Sequence, residues 1–181
     1  MLRRIRQTGF SLVELLIVIA MLLVVSAIVL PSLKSTFGAL QGTWAVRGIS
    51  SELYLARMRA GAKFTKTRVH IDNSKRTFQL EVSDKTSSTC CYQVEGGTQY
   101  LGGRVSYGFG SIATAAGGQT SIAQSAAVTF NSRGIPVTES GIPTEDYAIY
   151  LNNSGHFYAV TVSIAGQVET WRWSGTKWEA L

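Results

Sequence analysis

The chain opens on a short polar, basic stretch, MLRRIRQTG, and then turns abruptly apolar from Phe10 to Leu30, a run of 21 residues with one charge inside it. As a helix this run spans about 30 Å at 1.5 Å per residue, the thickness of a bilayer core. It is too long for the apolar region of a secretory signal, and no A-x-A cleavage site follows. The basic leader predicts a cytoplasmic N-terminus with the remainder outside, hence one membrane span, N-in and C-out. Pro31 ends the run. A proline there removes a helix hydrogen bond and predicts either a kink or melted turn, or a helix stop at the membrane interface.

Residues 31–62 return to a mixed pattern, with Phe37, Leu40, Trp44, Ile49, Leu53 and Ala56 recurring every three to five positions. That spacing predicts an amphipathic helix laying one stripe on a core. Gly38, Gly42 and Gly48 weaken it by about 1 kcal/mol each relative to Ala. Ser50 or Ser51 is a candidate cap for its last turns. Beyond Gly61 the period falls to two. Strands are predicted at Thr67–Asp72 and Arg76–Val82 around an Asn73-Ser74-Lys75 turn. Others are predicted at Cys91–Glu95, Gly103–Phe109, Ala127–Phe130, Tyr147–Leu151, Phe157–Ile164 and Val168–Trp173. Residues 84–90, 110–126 and 138–144 read as loops, and the long small-residue stretch 110–126 is expected to be mobile. The predicted fold is α+β: one long N-terminal helix, membrane half then amphipathic half, packed on antiparallel β-sheets. The organisation is a leader (1–9), a transmembrane helix (10–30), its amphipathic continuation (31–62) and a β-rich globular domain (63–181).

Composition refines this. The 181 residues are 45% hydrophobic and only 15% charged, which excludes a disordered charged tail as the main content. The formal charge is +6, but without Arg3, Arg4 and Arg6 the 17 basic residues fall to 14 against 11 acidic, a net of +3. The exported part is therefore only mildly basic and gives nucleic-acid binding no support from charge alone.

The charge inside the apolar run is Glu14. A carboxylate in hydrocarbon costs roughly 2.5–3.5 kcal/mol on insertion scales, so a simple anchor would not carry it. It calls for a cationic partner within the membrane or an assembly. A short basic leader ending in Gly9, then Phe10, then Glu14 as the fifth residue of the apolar run, resembles the signature of the type IV prepilin superfamily. The resemblance implies that a membrane prepilin peptidase cuts between Gly9 and Phe10 and that the new Phe10 amine is N-methylated. It implies that the chain assembles with other major and minor pilins or pseudopilins on an inner-membrane platform. The physics fits: Glu14 of one subunit can pair with the Phe10 amine of a neighbour and fix the axial register between sliding helices. Pro31 stands where many type IV pilins also carry proline, with a helix kink implied. Three later strings resemble the GspH/FimT subgroup. They are the helical ELYLARMRA, Phe130–Gly134 in VTFNSRGIP, and the closing segment YAVTVSIAGQV. These favour a minor pilin or pseudopilin over a major one.

Catalytic chemistry finds no constellation. His70 and His156 lie far apart, and no G-x-S-x-G, H-E-x-x-H, Walker or calcium-loop motif occurs. No enzyme activity, cofactor or metal is expected. Cys90-Cys91 would close a strained vicinal ring, and alternation along a strand points toward unbridged thiols. At the C-terminal end, Arg172 and Lys177 beside Trp171 and Trp173 could stack on nucleic-acid bases or touch a partner. Relatives in the subgroup that bind DNA use a basic G-R-x-R-like hairpin. Here the corresponding segment reads Gly166-Gln167-Val168-Glu169, without either arginine, so DNA is a disfavoured partner. Trp171 and Trp173 on one strand face are better read as core or subunit contact.

The reading is a non-enzymatic minor pilin or pseudopilin subunit at or near the tip of a type II secretion pseudopilus or a type IV pilus. It sits in the inner membrane before assembly and in a periplasmic or extracellular filament afterwards, with secreted cargo as a further partner. The alternatives are a DNA-binding competence pilin and a membrane-tethered periplasmic binding domain that never polymerises.

Overall fold

In a computed structural model of the chain, the structure describes residues 11–84 and 92–181, with only the backbone described for residues 31–35. Gly9, Phe10, Cys90 and Cys91 lie outside the described residues. One long helix, α1 (Leu12–Lys63), contributes to two compact units, Met1–Phe37 and Gly38–Leu181. In the first unit, Leu12–Leu30 is long and apolar enough to cross a membrane, and its side chains are exposed throughout. Helical backbone continues through Pro31. The expected helix stop or melted turn at Pro31 is thus not found; the proline removes one hydrogen bond without ending the helix.

In the second unit, the described residues form ten strands in two antiparallel sheets. The first is ordered β3 (Tyr92–Val94), β2 (Thr77–Ser83), β1 (Thr67–Asp72), β6 (Ala127–Phe130), with β4 (Gln99–Tyr100) also paired to β2. The second is ordered β10 (Trp178–Ala180), β9 (Val168–Trp173), β8 (His156–Val162), β7 (Tyr147–Asn153), β5 (Ser106–Tyr107). The β1–β2 turn closes because the Asp72 carboxylate accepts the Ser74 and Lys75 backbone N–H groups, each at 2.9 Å. That is an Asx-type turn, which leaves Arg76 at a positive φ of 55°.

The inner faces of both sheets pack on one side of α1. Val46, Ile49, Leu53, Ala56 and Ala60 from the helix join Val69, Leu80, Phe130, Leu151, Tyr158 and Val160 in a single core. The helical stripe differs from the expected one: Ile49, Leu53 and Ala56 are buried, whereas Leu40 and Trp44 are exposed. The reason is that Gly42, Ala45, Ala56 and Ala60 form the inward row, so small residues let the helix lie close to the sheets. At Gly42 the approach is extreme. A Cβ there would stand 2.2 Å from Tyr158 Cε2, and Tyr158 is held by donating its hydroxyl hydrogen to the Ala39 carbonyl at 3.0 Å. Gly38 is engaged as well, its carbonyl accepting the Asn153 side-chain amide.

Gly48 is different, because a Cβ there would meet only Phe78 Cζ at an ordinary 3.5 Å. Gly48→Ala is expected to stabilise the domain by about 0.5–1 kcal/mol through helix propensity. Gly42→Ala is expected to destabilise it, because overpacking costs about 1–3 kcal/mol. Denaturant midpoints of the two variants, followed by tryptophan fluorescence, should move in opposite directions.

The outer face of the second sheet is also buried, which corrects the expectation of a mobile 110–126 loop. Ala116 packs with Ala148, Tyr150 and Ala159, flanked by Ile122, Trp171 and Trp178. The loop is tied down by hydrogen bonds. Ser125 exchanges two with the Ala148 backbone, and the Gln124 side-chain Oε1 accepts the Tyr150 N–H at 2.9 Å. Trp178 Nε1 donates to the Thr114 carbonyl at 2.8 Å. Small residues are needed because the loop lies flat: a Cβ at Gly117 would collide with Thr161 Oγ1 at 2.5 Å.

Candidate assembly site

Glu14 lies in the first turn of α1 as described, solvent-exposed amid an apolar surface. The unpaired N–H groups of a helix start favour an anion there. Nothing else in Leu12–Leu30 is ionisable, so Glu14 is the one charge on that segment. Farther along, Ser26 satisfies its hydroxyl by donating to the Leu22 carbonyl at 2.7 Å, as polar side chains in apolar helices commonly do.

Within the second unit, the outward side of α1 carries a second apolar row. Trp44 is 62% exposed and Met58 65%, with Leu40 and Tyr54 also exposed. Ser51 and Arg47 complete the row. Helix 38–63 is therefore apolar on two opposite sides, one used by its own core and one unused in the isolated chain. Large apolar side chains grouped on one helix face mark an interaction surface.

The only acid in residues 38–63 is Glu52, on the flank between these two sides. Partial burial raises its pKa from 4.5. A raised carboxyl pKa contributes stability that is present below pH 4.5 and lost as pH rises through the folded-state value. Glu52→Gln is accordingly expected to raise the unfolding free energy at pH 7 and to flatten its pH dependence above 4.5. Denaturant titrations across that range check this, and an unchanged slope contradicts it.

Two of the three segments that resemble the GspH/FimT subgroup come together around Arg57 of α1, which lies in the third. Arg57 Nη2 donates to the Ala165 carbonyl at 3.0 Å, in the turn between β8 and β9. Gly134, at φ 75°, faces the Arg57 side chain, where a Cβ would stand 3.0 Å from its Cγ. Gly166, also at φ 75°, abuts the Gly134 carbonyl, which a Cβ would approach to 2.4 Å. Asn131 shapes the first turn, its Oδ1 accepting the N–H groups of Arg133 and Ile135 at 2.9 and 3.1 Å. The sequence points to both turns and to the helical string that holds Arg57, but not to the contact that joins them.

At the C-terminal end, Trp171 and Trp173 do share a strand face. Trp171 donates to Thr161 Oγ1 at 2.9 Å, and Trp173 packs edge-on to Trp178 at 5.3 Å between ring centroids. Tyr150 and Phe109 continue this aromatic series inward. Arg172 and Lys177 both face Glu179, at 3.8 and 4.0 Å. Each cation thus has a carboxylate beside it, which weakens any pull on a phosphate backbone. His70, on β1 opposite Gln79, and His156, at the exposed start of β8, belong to different sheets. Among the described residues, no three His, Cys, Asp or Glu side chains are grouped to hold a metal.

Residues 4–30 match the family model described as the prokaryotic N-terminal methylation motif. No curated protein matches the sequence at a significant level. Two solved structures of the minor pseudopilin EpsH from the type 2 secretion system of Vibrio cholerae share the fold. One superposes with a TM-score of 0.50 at 13% identity, covering 77% of this chain and 97% of EpsH. The other gives a TM-score of 0.50 at 13% identity, covering 72% and 92%. The chain therefore joins the prokaryotic N-terminal methylation motif, over residues 4–30, to the fold seen in the minor pseudopilin EpsH.

Proposed function

We propose that this protein is a non-enzymatic minor pilin or pseudopilin, processed after Gly9 by a prepilin peptidase and methylated on Phe10. It then assembles at or near the tip of a type II secretion pseudopilus or a type IV pilus. The observation that carries the reading is the methylation motif over residues 4–30, set on an exposed apolar helix whose one charge is Glu14. The mature helix stays with the protein after the cut and packs into a bundle of neighbouring helices. In that bundle Glu14 meets the Phe10 amine of an adjacent subunit and sets the register. The second apolar row of α1 supports the same reading, since an isolated tethered domain gains nothing from exposing Trp44 and Met58.

The test is fractionation of the native host. Filaments are sheared or released from the envelope, sedimented, and probed for this chain. The chain is expected in the sedimented fraction together with other pilin-type subunits. A chain found solely as a detergent-soluble membrane monomer, in cells that make filaments, would leave the tethered binding domain as the surviving account.

A further inference from the structure

We infer that the pole of the globular unit where α1 enters is a docking surface for anionic phospholipid headgroups, and that it rests on the bilayer that anchors the chain. This rests on the reading of Leu12–Leu30 as a membrane anchor and is independent of assembly into a filament.

Four turns ring that pole. The Asn153 side-chain amide donates to the Gly38 carbonyl, so the β7–β8 turn lies at the helix entry. The Gln41 side chain fills the space beside Gly103, where a Cβ would stand 2.2 Å from Gln41 Oε1. The Leu101 N–H donates to the Arg76 carbonyl at 2.9 Å, which draws in the β1–β2 turn. Register completes the ring. Asn153 faces His156 and Tyr158 faces Arg172, so the turn from Ser174 to Lys177 stands level with the β7–β8 turn.

These turns and the strand ends beside them are basic. Lys75, Arg76, Arg104, Arg172 and Lys177 stand there against two carboxylates, Asp72 and Glu179, among the described residues. Both carboxylates are engaged. Asp72 holds Lys75 at 3.5 Å and accepts two backbone N–H groups, and Glu179 is shared by Arg172 and Lys177 at 3.8 and 4.0 Å. Arg76 and Arg104 are exposed, and neither forms an ion pair among the described residues. Tyr100, paired with Thr77 next to Arg76, is 75% exposed. An aromatic ring with a polar tip suits the headgroup level of a bilayer. Acids collect instead beyond the far end of α1. Lys66 Nζ donates to the Glu139 carbonyl at 3.3 Å, and the pairing of Tyr147 with Val162 places Glu145 and Asp146 at the same pole.

The tether selects the occupant. Residues 31–37, with Lys34 among them, join Leu30 to Gly38 and reach about 29 Å at full extension. From Gly38 to Lys63 the helix rises about 38 Å, which separates the acidic pole from the entry pole. A covalently held surface meets the membrane at high effective concentration, without the entropy cost of association. Anionic headgroups attract Lys and Arg within about a Debye length, roughly 10 Å at 0.1 M salt. Exposed guanidinium groups suit them because their planar fork takes a phosphate bidentately. A second copy stacking its acidic pole here would have to be gathered from the plane of the membrane, whereas the bilayer is always within reach.

The test uses the full chain, reconstituted at about one chain per vesicle, with Tyr100→benzoylphenylalanine as a photoreactive probe. The vesicles are phosphatidylcholine with or without phosphatidylglycerol, and adducts are identified by mass spectrometry. A phospholipid adduct is expected at Tyr100 in the anionic vesicles. Its yield should fall about tenfold without phosphatidylglycerol, and likewise in 1 M salt, where the Debye length is about 3 Å. Arg76→Glu with Arg104→Glu should lower it by a similar factor, while the two lysine replacements retain it. The same probe at Ile142, 63% exposed in the Thr138–Ile142 turn at the acidic pole, should give little lipid adduct. Tryptophan fluorescence verifies that each variant is folded. No lipid adduct at Tyr100, an equal yield at Ile142, a yield indifferent to phosphatidylglycerol or to the charge reversals, or an adduct to a second copy each overturns the inference. Flotation is read on the same samples. A chain that does not float with the vesicles overturns the anchor reading and this one with it, whereas a chain that floats without a lipid adduct overturns this one alone.

Discussion

Glu14→Ala is expected to abolish entry of the chain into filaments while leaving its membrane insertion intact or improved. The two effects have opposite signs because the carboxylate is a cost in lipid and a gain in the assembly. Removing it relieves roughly 2.5–3.5 kcal/mol of insertion penalty. In the proposed bundle the same change strands the Phe10 amine of a neighbour without its counter-ion. Breaking a buried pair from one side costs about 3–5 kcal/mol, a factor of roughly 10² to 10³ or more in occupancy. Carbonate extraction measures insertion, and sedimentation of released filaments measures assembly. A generic apolar anchor would show no difference between the two assays. Normal incorporation of the variant would sink the register argument.

The second large effect is expected from Gly9→Val, which should leave the chain as an uncut precursor. Glycine allows an extended backbone to approach a narrow cleft closely, and a β-branched side chain at the residue before the cut removes that freedom. In the proposed N-in topology the cut lies on the cytoplasmic side, so the variant should still insert, retaining Arg3, Arg4 and Arg6 and lacking a free Phe10 amine. It should therefore reproduce the assembly defect of Glu14→Ala through the other half of the same pair. Immunoblots for the unprocessed form, alongside filament sedimentation, read both consequences. A mature species of normal abundance would place the cut elsewhere.

Much of the fold was legible in the alternation of side chains. The bounds of β1, β6 and β9 follow directly from period-two runs, and β7 and β8 differ by at most two residues at their ends. The two-residue β4 and three-residue β10 were not foreseen, because strands that short hold too few alternating positions to register as a pattern. The helix was found, and Ile49, Leu53 and Ala56 of its expected stripe do face the core, but Leu40 and Trp44 face outward. Periodicity alone cannot say which of two apolar rows faces the sheets, and the larger residues looked like the core. The deciding signal was the small residues Gly42, Ala45, Ala56 and Ala60, which only a close sheet explains. Composition misled at 110–126, where small residues suggested mobility but serve a flat cover over Tyr150 and Trp171.

The site was legible in part. Glu14 stood out because a charge in an apolar run has few explanations. The two turns around Gly134 and Gly166 stood out as strings, but their meeting at Arg57 depends on contacts between residues far apart in sequence, which no local pattern carries. The exposed row on α1 was invisible for the same reason: exposure of Trp44 and Met58 is known only once the opposite face is seen to be buried.

The central claim is that the chain is a processed prepilin-type subunit, and intact mass with N-terminal peptide mapping tests it most directly. The measurement is made on protein purified from the membrane and filaments of its native host. The account predicts a chain beginning at Phe10 with one added methyl group on its amine. A chain still carrying Met1–Gly9, in cells whose prepilin peptidase is active on other substrates, would contradict it.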